Sequence, residues 1–228
     1  MRVAIICIGN EWQADDGFGV AVLRYLEERY AFGPEVSLLD RAVMGYGIVP
    51  DLLTCDAAVV VDALDGTGAP PGTLFSFDPE DMACAPRMAS LHEVRFADVL
   101  ASARFMGAAC AGYCLGVQVE RVGGMGLEQG LSNAVAQAVP LCARSVARVV
   151  ERRFGCAVHD AWAESHDARA LLLDACAYVR ESLAACGVAA TEEMLAPVPE
   201  QMPDYEADAL VERVMCAAAS CENGPSAR

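Results

Sequence analysis

The sequence predicts an α/β fold: a three-layer sandwich with a mostly parallel, twisted five-stranded sheet, helices on both faces, and a C-terminal helical extension. Three observations carry this reading. Short β-branched runs alternate with helical patterns, the arrangement that builds parallel sheets. A glycine-rich turn bearing two adjacent carboxylates joins the first apolar run to the first helical pattern, as at the strand-to-helix junctions of open α/β proteins. Hydrophobic residues make up 55% of the 228 positions, enough to bury a full core.

The strands are expected at Val3 to Ile8, Glu35 to Leu39, Ala57 to Val61, Leu74 to Phe77 and Tyr113 to Val119. A first helix, from about Gly17 to Tyr30, should bury Val20, Leu23, Leu26 and Tyr30 and turn Arg24, Glu27, Glu28 and Arg29 toward water, with Gly33-Pro34 stopping it. A helix from about Glu93 to Phe105 should place Val94, Ala97, Leu100 and Phe105 near one face. Ser132 is placed as the N-cap of a further helix running to about Phe154, in which Pro140 should introduce a kink.

Gly155 closes this unit, so residues 1–155 are expected to form the α/β domain and 156–228 an acidic helical extension. That extension carries 13 acidic and 4 basic side chains, a net of −9 within a total of −16. Its helical patterns run from Ser165 to Gly187 and, after Pro197, Pro199 and Pro203, from Asp204 onward. It is expected to cover part of the sheet or to help hold a partner.

Composition excludes several function classes. Every basic residue is arginine, which removes a P-loop lysine and Schiff-base chemistry, and the acidic balance argues against nucleic acid. No apolar stretch reaches the roughly 18 residues of a membrane helix. The N-terminus enters a strand pattern at once, so a cytoplasmic protein is expected. Eleven cysteines, mostly inside apolar or helical patterns, read as reduced packing residues in a reducing compartment. The tightest pair, Cys110-x-x-x-Cys114, lacks the companions of a zinc site.

The chemistry-bearing residues fall at successive turns. In Gly9-Asn10-x4-Asp15-Asp16-Gly17-x-Gly19, one aspartate suffices to cap the helix, which leaves Asp16 for another task. Asp62 ends the third run, where side chains enter the crevice at the carboxyl edge of a sheet. His92 lies in Ser90-Leu91-His92-Glu93, just before a helical pattern, whereas His159 and His166 in the acidic tail read as solvated. Asp16, Asp62 and His92 make an O,O,N set suited to a divalent ion with open positions, such as zinc, nickel or manganese. A dinucleotide site is disfavoured because Cys7 occupies the first glycine position of that fingerprint. No nucleophile elbow occurs, and no cysteine has an evident histidine partner.

Taken with Val61-Asp62-Ala63, Ser90-x-His92, Asp98-Val99-Leu100, Gly116-Val117 and Gly130-Leu131-Ser132-x-x-Val135, this turn resembles the nickel-iron hydrogenase maturation endopeptidases over residues 1 to about 153. The resemblance implies a protease that removes the C-terminal extension of a hydrogenase large-subunit precursor after nickel insertion. It places the metal ligands and site residues on Asp16, Asp62 and His92. It also implies that the nickel is carried by the substrate, with no resident organic cofactor. A checkpoint protein that binds the nickel-loaded precursor without cutting it is the alternative. Three positions depart from the family pattern: Cys7 stands where glycine is frequent, Val119 where proline is common, and Asp16 where some members carry the longer Glu.

Overall fold

The computed structural model describes residues 1–43, 45–79, 89–90, 96–123 and 126–161. The chain separates into two units, Met1–Glu164 and Ser165–Arg228. The helices expected in the acidic extension lie outside the described residues.

Strand β1 (Val3–Cys7) leads through a 3-10 turn (Asp15–Gly17) into α1 (Phe18–Arg29), followed by the short β2 (Tyr30–Phe32) and by β3 (Val36–Asp40). A second 3-10 turn and α2 (Val49–Thr54) precede β4 (Ala57–Asp65), β5 (Leu74–Phe77) and the two-residue β6 (Ala89–Ser90). Then come α3 (Phe96–Phe105), β7 (Ala111–Gln118), α4 (Asn133–Arg148), a π turn (Val149–Arg153) and β8 (Val158–Asp160). The sheet order is β3-β1-β4-β7-β5, with β6 paired to the end of β4. The first four strands are parallel, and β5 runs antiparallel to β7. All five expected strands are present in this sheet.

Two layers of helix explain why β1 is buried at every residue and β4 at nearly every one: strands of a parallel sheet covered on both faces cannot alternate with water. On one face Ile6, Ile8, Val60 and Cys114 pack with Ile48 and Leu52 at α2 and with Phe96, Val99, Leu100 and Ala103 of α3. On the other, α1 and α4 pack against each other and against the central strands.

Helix α1 buries Val20, Leu23 and Leu26 as its spacing requires, and Tyr30 follows as the first residue of β2. Arg29 departs from expectation. It is 8% exposed, and its guanidinium donates to Asp160 through Nε at 3.0 Å and Nη2 at 2.7 Å, and to the Tyr25 hydroxyl at 2.8 Å. The partner lies 131 residues away on β8, which pairs antiparallel with β2, so no local pattern announces it. Helix α3 also differs from its expected face. Phe96, Val99, Leu100 and Ala103 form the buried stripe at spacings of three, one and three, while Phe105 is 94% exposed; Val94 lies outside the described residues. Pro140 lies inside α4, and the change in helical register comes later, at Val149. Pro140 and Ala136 are both exposed, so the carbonyl that loses its amide partner faces solvent.

The loops at the carboxyl edge are tied together by one buried carboxylate. Asp15 is fully buried; its Oδ2 accepts the amides of Glu120 at 2.9 Å and Arg121 at 3.0 Å and the Ser132 hydroxyl at 3.0 Å, while its Oδ1 accepts the Ser132 amide at 2.6 Å. Asp15 therefore caps neither its own turn nor α1. Ser132 does hold the N-cap position of α4, but its hydroxyl is spent on Asp15. Close backbone contact fixes the same turn from below: a Cβ on Gly19 would sit 2.0 Å from the Ile8 carbonyl oxygen, and one on Gly9 2.1 Å from that of Asp16.

Two stability predictions follow from these contacts. Asp15→Asn turns an amide group toward backbone donors and should cost about 2–4 kcal/mol in urea unfolding. Gly19→Ala forces strand and helix apart and should cost about 3 kcal/mol or more; a melting point equal to that of the parent protein would contradict the packing.

Candidate functional site

The order of the strands locates the crevice. From β1 the chain moves to β3 on one side and then returns to β4 on the other, so the carboxyl ends of β1 and β4 flank a point where the winding reverses. Asp16 is in the loop after β1, and Asp62 is near the end of β4.

Local chemistry sets the path of the first loop. Asn10 accepts the Trp12 amide on Oδ1 at 3.1 Å, closing an Asx turn. The chain then bends through Ala14, which has a positive φ of 53°. Such backbone costs about 1–3 kcal/mol and persists where the surroundings over-determine it. Here the Ala14 amide donates to Glu128 O at 2.7 Å, Ala14 bridges Val122, and Gln13 bridges Glu128. The strand-like clamp delivers Asp15 and Asp16 into a tight turn in which the Asp16 amide donates to Gln13 O at 3.2 Å and its carbonyl accepts the Asn10 amide at 3.1 Å.

Asp16 is 6% exposed, so it is largely withdrawn from bulk water. The turn that carries it rests against β4. On that strand, Val61 is the register partner of Cys7 and accepts the Ile8 amide at 2.9 Å, which sets Asp62 next to the exit of β1. Asp62 is half-buried; its Oδ1 accepts the Ala63 amide at 2.8 Å. It shares a small hollow with Val60, Leu64, Phe77, Phe96 and Cys114, so this carboxylate has one apolar flank.

Asp16 thus lies in a turn packed against β4, and Asp62 lies on β4 one residue beyond the register partner of the last residue of β1. The third predicted residue, His92, lies outside the described residues. What is described is that Ser90 pairs with Leu64, two positions along β4 from Asp62. Among the described residues, no group of three His, Cys, Asp or Glu side chains is arranged to hold a metal ion.

Sequence reasoning missed two features of this edge. One is the role of Asp15 as an anchor for the loop after β7, for which the only signal was the doubling of the aspartate. The other is a set of exposed apolar side chains on the loops that follow β1, β3 and β7: Trp12, Val43, Tyr46, Val122 and Leu127, each between 44% and 78% exposed. Beside the Asp16 turn, a cleft of about 300 Å³ opens between Ala14, Gly17 and Val20 on one wall and Gly130 and Leu131 on the other. Its mouth is spanned by an ion pair, Arg24 to Glu11, at 2.7 Å.

Known proteins share this architecture. The fold is that of the hydrogenase maturing endopeptidase HybD from Escherichia coli, with a TM-score of 0.63, 26% identity, and coverage of 71% of this chain and 98% of that one. HybD from Thermococcus kodakarensis, at 21% identity and a TM-score of 0.54, shares the fold. In sequence, the chain is 38% identical over 108 residues to the hydrogenase expression/formation protein HupD of Rhodobacter capsulatus, covering 46% of this chain and 51% of that protein. It is 31% identical over 108 residues to the hydrogenase 2 maturation protease of Escherichia coli, covering 47% and 66%. The chain spans about half the length of the first of these curated relatives. The HycI family profile, hydrogenase maturation protease, matches residues 20–149, a span that includes Asp62 and His92 and begins just after Asp16. The chain belongs to the hydrogenase maturation protease family.

Proposed function

We propose that this protein is an endopeptidase that removes the C-terminal extension of a nickel-iron hydrogenase large-subunit precursor once nickel has been inserted. The observation that supports the reading is that the turn carrying Asp16 rests against β4, the strand that carries Asp62, at the point where the sheet reverses its winding. His92 completes the proposed set. In the sequence it follows Ser90 by two positions, and Ser90 is paired beside the end of β4.

The nickel belongs to the substrate. Precursor cysteine thiolates are the softer ligands and keep the ion, while oxygen and nitrogen donors from Asp16, Asp62 and His92 occupy positions the thiolates leave open. Such contacts read whether nickel is present without extracting it. Docking is therefore the ion's first role, and it fixes the scissile peptide against the crevice. A carboxylate at this edge then takes the proton of the attacking water. Burial of Asp16 supports the arrangement, because a charge removed from water gains most from a cation that arrives with the substrate.

Trp12, Val43, Tyr46, Val122 and Leu127 are exposed on loops at the carboxyl edge of a chain with a net charge of −16. They are the surface on which the folded precursor is held while its C-terminal segment enters the crevice. No helix among the described residues is long and apolar enough to cross a membrane.

Incubation with nickel-loaded and nickel-free precursor, followed by intact-mass measurement, tests the function: only the loaded form should shorten. A precursor bound at its full length would instead favour the checkpoint role. Asp62→Asn should slow processing by about 100-fold or more with the fold intact by circular dichroism, and normal cleavage would remove Asp62 from the site. Trp12→Ala should raise KM about tenfold with kcat little changed, since it removes a surface anchor and no reacting group.

A further inference from the structure

At the opposite, amino edge of the sheet, two cysteines meet that have no part in the proposed proteolysis. Cys55 follows α2, its amide donating to Asp51 O at 3.1 Å, and Cys110 immediately precedes β7. Ala57 and Ala111 are register partners, and the Ala111 amide donates to Asp56 O at 3.0 Å, so the lead-ins to β4 and β7 run side by side. The two Sγ atoms lie 3.3 Å apart in a thiol hydrogen bond. The sequence offers Cys114 as the neighbour of Cys110, but four residues of extended chain separate their Cα atoms by about 13 Å. The actual partner comes from 55 positions away.

Exposure distinguishes this pair from the other thiols. Among the described cysteines, Cys7, Cys110, Cys114, Cys142 and Cys156 are all buried, and Cys55 alone is partly exposed. Cys110 sits in the core between α2 and α3, with Cys55 packed over it as the side facing solvent. The pair therefore has one accessible sulfur and one sheltered sulfur in direct contact.

We propose that Cys55 and Cys110 form a reversible redox site, oxidised by hydrogen peroxide to an intramolecular disulfide and restored by a low-molecular-weight dithiol. The Cys55 thiolate attacks one peroxide oxygen; the O–O bond breaks, and hydroxide leaves and is protonated to water. Cys55 is then a sulfenic acid. The Cys110 sulfur attacks the Cys55 sulfur, the S–S bond forms as the S–O bond breaks, and the departing hydroxide takes the Cys110 proton. Two thiols lose two electrons in total, and one peroxide becomes two waters.

The hydrogen bond fits this division of labour. The contact with Cys110 lowers the pKa of Cys55, against the opposing effects of burial and of the Asp51 and Asp56 carboxylates. The same contact, together with burial, raises the pKa of Cys110 and favours its thiol form. Burial raises Cys7 and Cys142 as well, which protects them from the same oxidant. Intracellular disulfides are mostly transient ones of this kind.

The test treats the reduced full-length protein with one equivalent of hydrogen peroxide, alkylates the remaining thiols, digests, and maps the peptides by mass spectrometry. Loss of the Cys55 and Cys110 thiols as one cross-linked peptide pair, reversed by dithiothreitol, is expected, with Cys7, Cys114, Cys142 and Cys156 alkylated. In Cys110→Ser, Cys55 should be trapped by dimedone as its sulfenic acid adduct. Recovery of Cys55 and Cys110 alkylated after oxidation would overturn the proposal, as would pairing of Cys55 with another cysteine. A Cys110→Ser protein that keeps its circular dichroism spectrum and yields no adduct would do the same.

Discussion

The Asp15 carboxylate is the interaction on which the carboxyl edge depends. It is fully buried and accepts three backbone amides and one hydroxyl, all from the segment between β7 and α4. A charge so enclosed is tolerable only because donors fill its lone pairs. Together with the backbone bonds that join Trp12, Gln13 and Ala14 to Gly123 and Glu128, this group locks the loop after β1 to the loop after β7, two segments that share no regular secondary structure beyond the isolated bridges at Gln13 and Ala14. The adjacent residue benefits. In a 3-10 turn, consecutive side chains are about 120° apart, so fixing Asp15 toward α4 sends Asp16 in a different direction.

Topology supplies the rest of the edge. The parallel ladder of β1 and β4 holds Cys7 beside Val61 and sets Asp62 one residue further on. Gly9 and Gly19 admit the close backbone approach that lets the loop fold down on the strand. Asp62 therefore lies on a central strand, and Asp16 on a loop braced against that strand, while the exposed apolar residues ride on loops. A braced pair of carboxylates beside exposed apolar loop residues is consistent with the function proposed above, in which a folded precursor is held while one of its peptide bonds is cut.

Much of this was legible from the residues. The five strands, the buried stripe of α1 and the cap position of Ser132 follow from local periodicity and turn chemistry. The face of α3 was misplaced because 97, 100 and 105 compete with the tighter series 96, 99, 100 and 103, and only packing against Ile48 and Leu52 selects the second. Arg29 was assigned to water because its partner Asp160 is 131 residues distant, beyond the glycine read as closing the unit. The contact of Cys55 with Cys110 was invisible for the same reason: it depends on two strands lying side by side, whereas spacing along the chain pointed to Cys114.

The sequence by itself determined the element types, the strand-turn-helix unit bearing Asp15 and Asp16, and the family to which the chain belongs. These rest on patterns within a few residues, where sterics and hydrogen-bonding capacity act directly. Tertiary structure alone decided which aspartate is buried as an anchor, which strand ends lie adjacent, and which thiols touch. Each of those depends on segments far apart in the chain being brought into register, and register is set by the whole sheet and its covering helices rather than by any local stretch.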